Sequence, residues 1–404
     1  MNARGACPTL FTPMQTGDGL LARIVAGEHV TPATFAAFFR AAARHGNGAV
    51  EISARGSLQV RGLSPDSAPR FASEIAALGV ATEGVPVIAD PLAGEASAPF
   101  DAAAVAAAIR AAIALAAIGL APKVSVIVDA GTRLHLDALA ADVRLRASAP
   151  DRVALALAGD AATATPLGSI AAADVVNVVV EVLRTIALYG RAADVLRHKG
   201  PAAFAGIPGI VPEPLALPAR PQAEMLGLHA LADGRFAVGI APAFGHARAE
   251  ALAALTEIAA ERGAHALRPA PARALLAIGL ERAAVAPFAD AAERLGFIVR
   301  EDDMRRRIVA CPGRPACASG LIEARRIAAD IARAGNLPGS GLAVHVSGCR
   351  KGCAHPGAAA LTLVGTERGC AIVRQGSARG RPSAHGDPGQ IAADIARLAA
   401  LEPV

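Results

Sequence analysis

The chain has no tryptophan, one tyrosine and three lysines among 404 residues. Aromatics amount to 3%, which leaves little to stack on nucleobases. No run of five or six basic residues occurs, and the longest, 305–307, follows the acids Glu301, Asp302 and Asp303. A nucleic-acid partner is therefore not expected. Long apolar runs are missing too, despite a mean hydropathy of +0.41. The stretch 111–122 is bounded by Arg110 and Lys123, and 201–212 contains three prolines. A spanning helix needs about 18 uninterrupted apolar residues, so no membrane span is expected. The first residues lack an apolar secretory core, and the expected localisation is cytoplasmic. Neither the glycine fingerprint of a dinucleotide fold nor a P-loop is present.

What is there excludes disorder: 53% hydrophobic and 19% charged residues. The core must be built from Ala, Val, Leu and Ile. Forty glycines and 28 prolines are too many for a helical bundle and suit a loop-rich α+β chain of two or more units. The net charge of +5 comes from 40 basic residues, almost all arginine. The lysines Lys123, Lys199 and Lys351 are thus conspicuous by position.

Six cysteines carry the chemistry: Cys7, Cys311, Cys317, Cys349, Cys353 and Cys370. Without a secretory signal, such cysteines point to metal binding or reactivity rather than disulfides. Four form two tight pairs, a C-x5-C at Cys311 and Cys317 and a C-x3-C at Cys349 and Cys353. Structural zinc prefers two to four intervening residues, so C-x5-C is wide for it while C-x3-C is allowed. A [4Fe–4S] cube suits longer, unequal loops. Pro312, Gly313, Pro315, Gly348 and Gly352 let amides turn toward its sulfur atoms. Around the pairs, the pattern predicts a helix over 319–334, a strand over 342–346, a hairpin of 361–364 with 370–373, and a closing helix over 390–401. Two loops at one edge of an α+β layer would then gather four thiolates.

C-x5-C followed by C-x3-C resembles the signature of the nitrite/sulfite reductase superfamily. In that family four such cysteines hold a [4Fe–4S] cluster, and the last bridges to siroheme iron. The run 345–356, His-Val-Ser-Gly-Cys-Arg-Lys-Gly-Cys-Ala-His-Pro, is similar to the precorrin-3B synthase branch; reductases usually carry Pro-Asn between the second pair. Segments 4–23, 53–63, 121–131 and 233–245 resemble the same branch. The implied fold is α+β, with duplicated nitrite/sulfite reductase-like units related by a pseudo-twofold axis and including ferredoxin-like half domains.

An internal repeat supports this independently. Residues 19–63 read strand (20–25), helix, strand (49–52), strand (58–60), with the helix at 31–46 opened by Thr31-Pro32. Residues 234–280 read strand (236–240), helix (249–262), strand (265–268), strand (274–277). Both units end in Gly-Leu. The expected division is a ferredoxin-like half domain over 1–80, an α+β domain over 81–200, a Pro-rich linker over 201–222, a second half domain over 223–295 and a cluster-binding α+β domain over 296–404.

The resemblance implies an enzyme of aerobic cobalamin biosynthesis. It would convert precorrin-3A to precorrin-3B with O2, by ring hydroxylation and lactone closure. Electrons would reach a cluster on Cys311, Cys317, Cys349 and Cys353 from an electron-donating reductase or NADH. A mononuclear non-heme iron, near His355 or the substrate acetate, is a further implied cofactor. Arg23, Arg55 and Lys123 fall where relatives contact the tetrapyrrole. Gln59 and Arg61 share a strand face with that site. Arg and Lys are the natural clamps for tetrapyrrole carboxylates. Arg23, Lys123 and Lys351 are the catalytic candidates, and Arg350 reads as solvated. Two departures speak against permanently bound siroheme: Ser125 stands where reductases carry a second basic residue, and 84–97 has no basic residue. Cys370 reads as core, Cys7 equally as a small buried hydrophobe or a ligand, Asp18 as a turn residue, and His345 as a neighbour of the cluster loop. Two other readings stay open, a siroheme-dependent sulfite or nitrite reductase and a non-catalytic zinc- or cluster-stabilised scaffold.

Overall fold

The computed structural model describes residues 7–27, 30–82, 84–214, 217–335, 337 and 341–400. Arg4 to Ala6 of the N-terminal motif and Leu401 of the closing helix lie outside the described residues.

The first unit runs β1 (Met14–Thr16), β2 (Gly19–Ala26), α1 (Pro32–His45), β3 (Ala49–Ile52), β4 (Leu58–Leu63), α2 (Ser67–Leu78) and β5 (Ala81–Thr82). Thr31 caps α1 as its spacing predicts, its side chain accepting the Thr34 amide. Phe35, Phe38 and Phe39 of α1 and Phe71 of α2 are fully buried and pack ring on ring. Four of the eleven phenylalanines are thus spent on one spot, where each large ring removes more apolar area from water than any Ala-rich layer could.

The middle unit runs β6 (Val87–Ala89), α3 (Ala102–Leu115), β7 (Val126–Asp129), β8 (Ala141–Ala149), β9 (Arg152–Gly159), β10 (Thr165–Ala171), α4 (Val175–Ala187) and α5 (Ala192–Lys199). The third comprises β11 (Gly227–Ala230), β12 (Phe236–Ile240), β13 (His246–Arg248), α6 (Ala249–Glu261), β14 (Ala266–Ala270), β15 (Ala274–Leu280) and α7 (Arg282–Arg294). The last comprises β16 (Ile308–Ala310), α8 (Ala324–Ala334), β17 (Val344–Ser347), β18 (Ala359–Thr366), β19 (Gly369–Gly376), β20 (Ala384–Gly386) and α9 (Ile391–Ala400).

The two halves found by the repeat exchange edges. Ala247 in β13, just before α6, pairs with Val50 in β3. Reciprocally, Val30, just before α1, bridges Leu267 in β14. Each half closes the other's sheet, which leaves neither edge open to aggregation. Their helices share one core with residues from both halves.

A second duplication escaped the sequence. In the middle unit β6, β7 and β8 are parallel and β9 and β10 antiparallel, in the order β6-β7-β8-β9-β10. The last unit repeats this as β16-β17-β18-β19-β20. The registers superpose: Val126 pairs with Val87 and Val143, and Val344 pairs with Ile308 and Leu361. The Pro-rich segment is no free tether. Phe204 is buried in the middle core, Val211 bridges Ser169, and Arg220 is ion-paired to Asp129 and Asp137.

Candidate functional site

The four paired cysteines line one cavity of about 340 Å³. Cys311 follows directly on β16, and Cys349 lies two residues past β17, as the strand pattern required. The helix after the first pair begins at Ala324 rather than 319. The five residues before it are used to tie the loops instead. Ala318 N–H donates to Gly17 O (2.7 Å), Gly320 N–H to Cys317 O (2.8 Å) and Leu321 N–H to Gly348 O (2.8 Å).

Close approach here demands glycine. A Cβ at Gly17, in the β1–β2 turn, would lie 2.3 Å from Cys317 Sγ; one at Gly320 would lie 2.7 Å from Gly313 C. Gly348 donates its amide to Cys311 Sγ at 3.0 Å. Burial pushes the Cys311 thiol up, against that hydrogen bond. Burial and the neighbouring Cys349 also push Cys353 up, while Arg61 and Lys351 draw it down. Thiols held this way gain from binding a cation, which takes them as thiolates.

The residues fit a cube better than a single ion. Among the described residues, no three of these sulfurs lie within 4.8 Å of one another. Zinc–sulfur bonds of about 2.3 Å would bring tetrahedral ligands to about 3.8 Å. A cluster ligated at separate irons holds its thiolates further apart, and the amide donation to Cys311 suits its negative charge.

Of the other candidates, Gln59, Arg61 and Lys351 line the cysteine cavity, and Arg23 and Arg55 line a separate pocket with Ser57, Asp90 and Arg268. Arg23 on β2 pairs in register with Gln59 on β4, which pairs with Glu51 on β3. Gln59, Arg61, Glu51 and Lys351 line the cavity. Arg23 donates from Nε and Nη2 to Ser57 Oγ (3.2 and 3.1 Å). Arg55 reaches across to the middle unit, donating to Ala140 O (2.7 Å) and Ser125 Oγ (3.2 Å). Ser125, the departure noted in the sequence, is thus a support for Arg55. Burial lowers the Arg55 pKa, and so do the like charges of Arg23, Arg191 and Arg144 around it.

Three expectations change. Arg61 is not an open clamp: Nε and Nη2 donate to Asp18 (2.8 and 2.7 Å), and Nη1 faces Glu51 (3.3 Å). Asp18 is therefore an ion-pair anchor as well as a turn residue. Lys123, one of the catalytic candidates, is exposed in the turn before β7, with φ +74°. Lys351 donates to Ser319 Oγ at 3.0 Å, bracing one cysteine loop on the other. Arg350 donates to Arg379 O at 3.3 Å. Cys370 is core as expected, its thiol pushed up by burial to about 12. His345 is fully buried behind the loop, its ring edge-on to His355 at 5.8 Å, and burial pushes it down to about 4.

Sequence reasoning missed Glu51 and Arg325, whose Nη2 lies 3.7 Å from Glu51. The strand alternation that placed Gln59 would have found Glu51 opposite it. Nothing local marks Arg325. Asp129, His135 and Asp137 also converge, but Arg220 bonds both carboxylates and fills the place a cation would take.

Comparison with known proteins agrees with this geometry. Residues 13–78 match the nitrite/sulfite reductase ferredoxin-like half domain. The NirA protein of Mycobacterium tuberculosis superposes with a TM-score of 0.69 over 94% of this chain and 80% of its own, at 18% identity. A sulfite reductase [ferredoxin] of Mycolicibacterium paratuberculosis is 28% identical over 39% of this chain and 29% of its own length. Fold and cysteine cavity together define an α+β protein of the nitrite/sulfite reductase superfamily. A precorrin-3B synthase of Sinorhizobium sp is 38% identical over 98% of this chain and 88% of its own length. The chain belongs to the precorrin-3B synthase family and is an enzyme.

Proposed function

We propose that the protein converts precorrin-3A to precorrin-3B in aerobic cobalamin biosynthesis, by oxygen-dependent ring hydroxylation and lactone closure. The observation that carries this reading is a cavity lined by four thiols with Arg61 and Lys351 beside them, in a chain of that family. Cys311, Cys317, Cys349 and Cys353 would hold a [4Fe–4S] cluster, which supplies one-electron transfer when bound. Arg23 and Arg55, which line a second pocket, orient the tetrapyrrole by its carboxylates, and Gln59 lines the cysteine cavity. Lys123, exposed in the turn before β7, would meet a peripheral carboxylate. Lys351 keeps the two cysteine loops in register and offsets negative charge beside them. Electrons come from an external reductase or NADH. The ligands of any mononuclear iron are not among the residues assigned here.

The reading is tested by incubating anaerobic, reduced protein with precorrin-3A and then admitting O2. The hydroxylactone is expected only after oxygen. No turnover with the cluster intact overturns the proposal. A siroheme-dependent sulfite or nitrite reductase is the second reading, favoured by the partial match to sulfite reductase. It requires strong heme absorption bands at full occupancy in the purified protein.

A further inference from the structure

The sheet face that looks into the cysteine cavity ends in a chain of alternating charge. Arg61 is held by Asp18 through two hydrogen bonds and touches Glu51 at 3.3 Å; Glu51 in turn meets Arg325 at 3.7 Å. The side chains of Asp18, Arg61 and Glu51 are 1%, 7% and 17% exposed. Arg325 opens α8, one residue after Ala324, against which Gly313 of the first cysteine loop packs. The chain thus starts at the β1–β2 turn that touches Cys317, passes along the cavity wall, and ends beside the loop of Cys311.

A buried ion-pair network adds little net stability, because desolvation offsets the Coulomb gain. Its position gives it another use. Charges fixed next to a redox group change the cost of adding an electron, and low-dielectric surroundings strengthen the effect. Cys353 and Arg61 interact electrostatically, as do Cys311 and Arg325. Both arginines therefore act on thiolates at the two ends of the cysteine set, and both are steered by Glu51.

We infer that Asp18, Arg61 and Glu51 of the first unit, together with Arg325 of the last, form a positioning relay that sets the reduction potential of the cluster. The inference rests on the cluster reading above. Reduction adds one electron from the external donor to the oxidised cluster, with no bond made or broken. Arg61 and Arg325 stabilise the added negative charge; Asp18 and Glu51 hold them in place and moderate their field. Arg61 is thereby assigned to the cluster rather than to a substrate carboxylate.

The test is an EPR-monitored redox titration of the full-length, anaerobically purified protein, with iron and acid-labile sulfide measured first. Arg61→Gln and Arg325→Gln should shift the midpoint potential down, and Glu51→Gln and Asp18→Asn should shift it up. Arg61→Lys, which keeps the charge, should stay nearest to the unaltered protein. Should Arg61→Gln not accumulate, Arg325→Gln and Glu51→Gln carry the opposed pair. Wild-type protein without iron and sulfide defeats the cluster reading itself. Intact clusters whose potentials do not move, or move the same way in both sets, overturn the relay.

Discussion

The middle and last units are the same scaffold with different loop chemistry. Asp90 follows β6 as Cys311 follows β16. The Asp90 amide donates to Val128 O at 3.1 Å, and the Cys311 amide donates to Val346 O at 3.2 Å. Ala130 N–H then donates to Asp90 Oδ2 at 3.1 Å, where Gly348 N–H donates to Cys311 Sγ at 3.0 Å. A carboxylate thus stands in one copy where a thiol of the four-cysteine cavity stands in the other. The half domains differ in step: Val50 and Leu267 hold matching places, so Glu51, facing the cysteine cavity, corresponds to Arg268. Arg268 donates to Pro91 O and Ala93 O and lies 3.8 Å from Glu95, plugging the middle unit's end. The difference teaches that the fold alone makes no four-thiol cavity. Glycines that open the loops and thiols that fill the gap make it.

The largest effect expected from breaking this comparison is at the thiols. Cys353→Ala should abolish iron and sulfide incorporation, whereas Asp90→Ala at the duplicate end should leave both at wild-type levels, as read by metal and sulfide analysis. Next, Arg268→Ala removes a buried cation that Glu95 and two carbonyls share. It should cost roughly 3 kcal/mol in urea unfolding and leave the cluster content unchanged. Arg55→Gln should weaken tetrapyrrole binding about tenfold, roughly 1.4 kcal/mol, in an equilibrium titration with precorrin-3A.

The smallest effect sharpens the comparison through pH. Burial pushes the Asp90 carboxyl up to about 6, against the hydrogen bonds from Thr132 and Ala130. A raised native pKa means that the folded state binds the proton more tightly. The stability this contributes is complete below the unfolded value of about 3.9 and is lost as pH rises through about 6. About 1 kcal/mol should disappear between pH 5 and pH 7. Asp90→Asn, compared with the unaltered protein by urea unfolding at both pH values, should flatten that dependence.

Parts of the fold and of the candidate site were legible in the sequence, for physical reasons. Thr31-Pro32 set the start of α1 because a cap and a first-turn proline act locally. Alternation placed Arg23, Gln59 and Arg61 on strands because strand side chains repeat every two residues. Cysteine spacing found all four thiols of the cavity. What the sequence could not convey depends on contacts between distant segments. The exchange of Val30 and Ala247 between sheets leaves no local mark. The duplication of the middle and last units is hidden because Asp90 and Cys311 share a backbone place and no chemistry. Arg61 read as a clamp because Asp18, 43 residues away, could not be seen beside it. The helix over 319–334 lost its first turn because the Gly320 amide turns back to Cys317 O and the Leu321 amide ties the loop to Gly348 O.

The most direct test of the account is the inorganic content of anaerobically purified protein, with EPR after reduction. The account predicts four iron and four acid-labile sulfide per chain, no stoichiometric zinc, and the spectrum of a reduced cubane. Stoichiometric zinc in place of iron and sulfide, with no such spectrum, would contradict it.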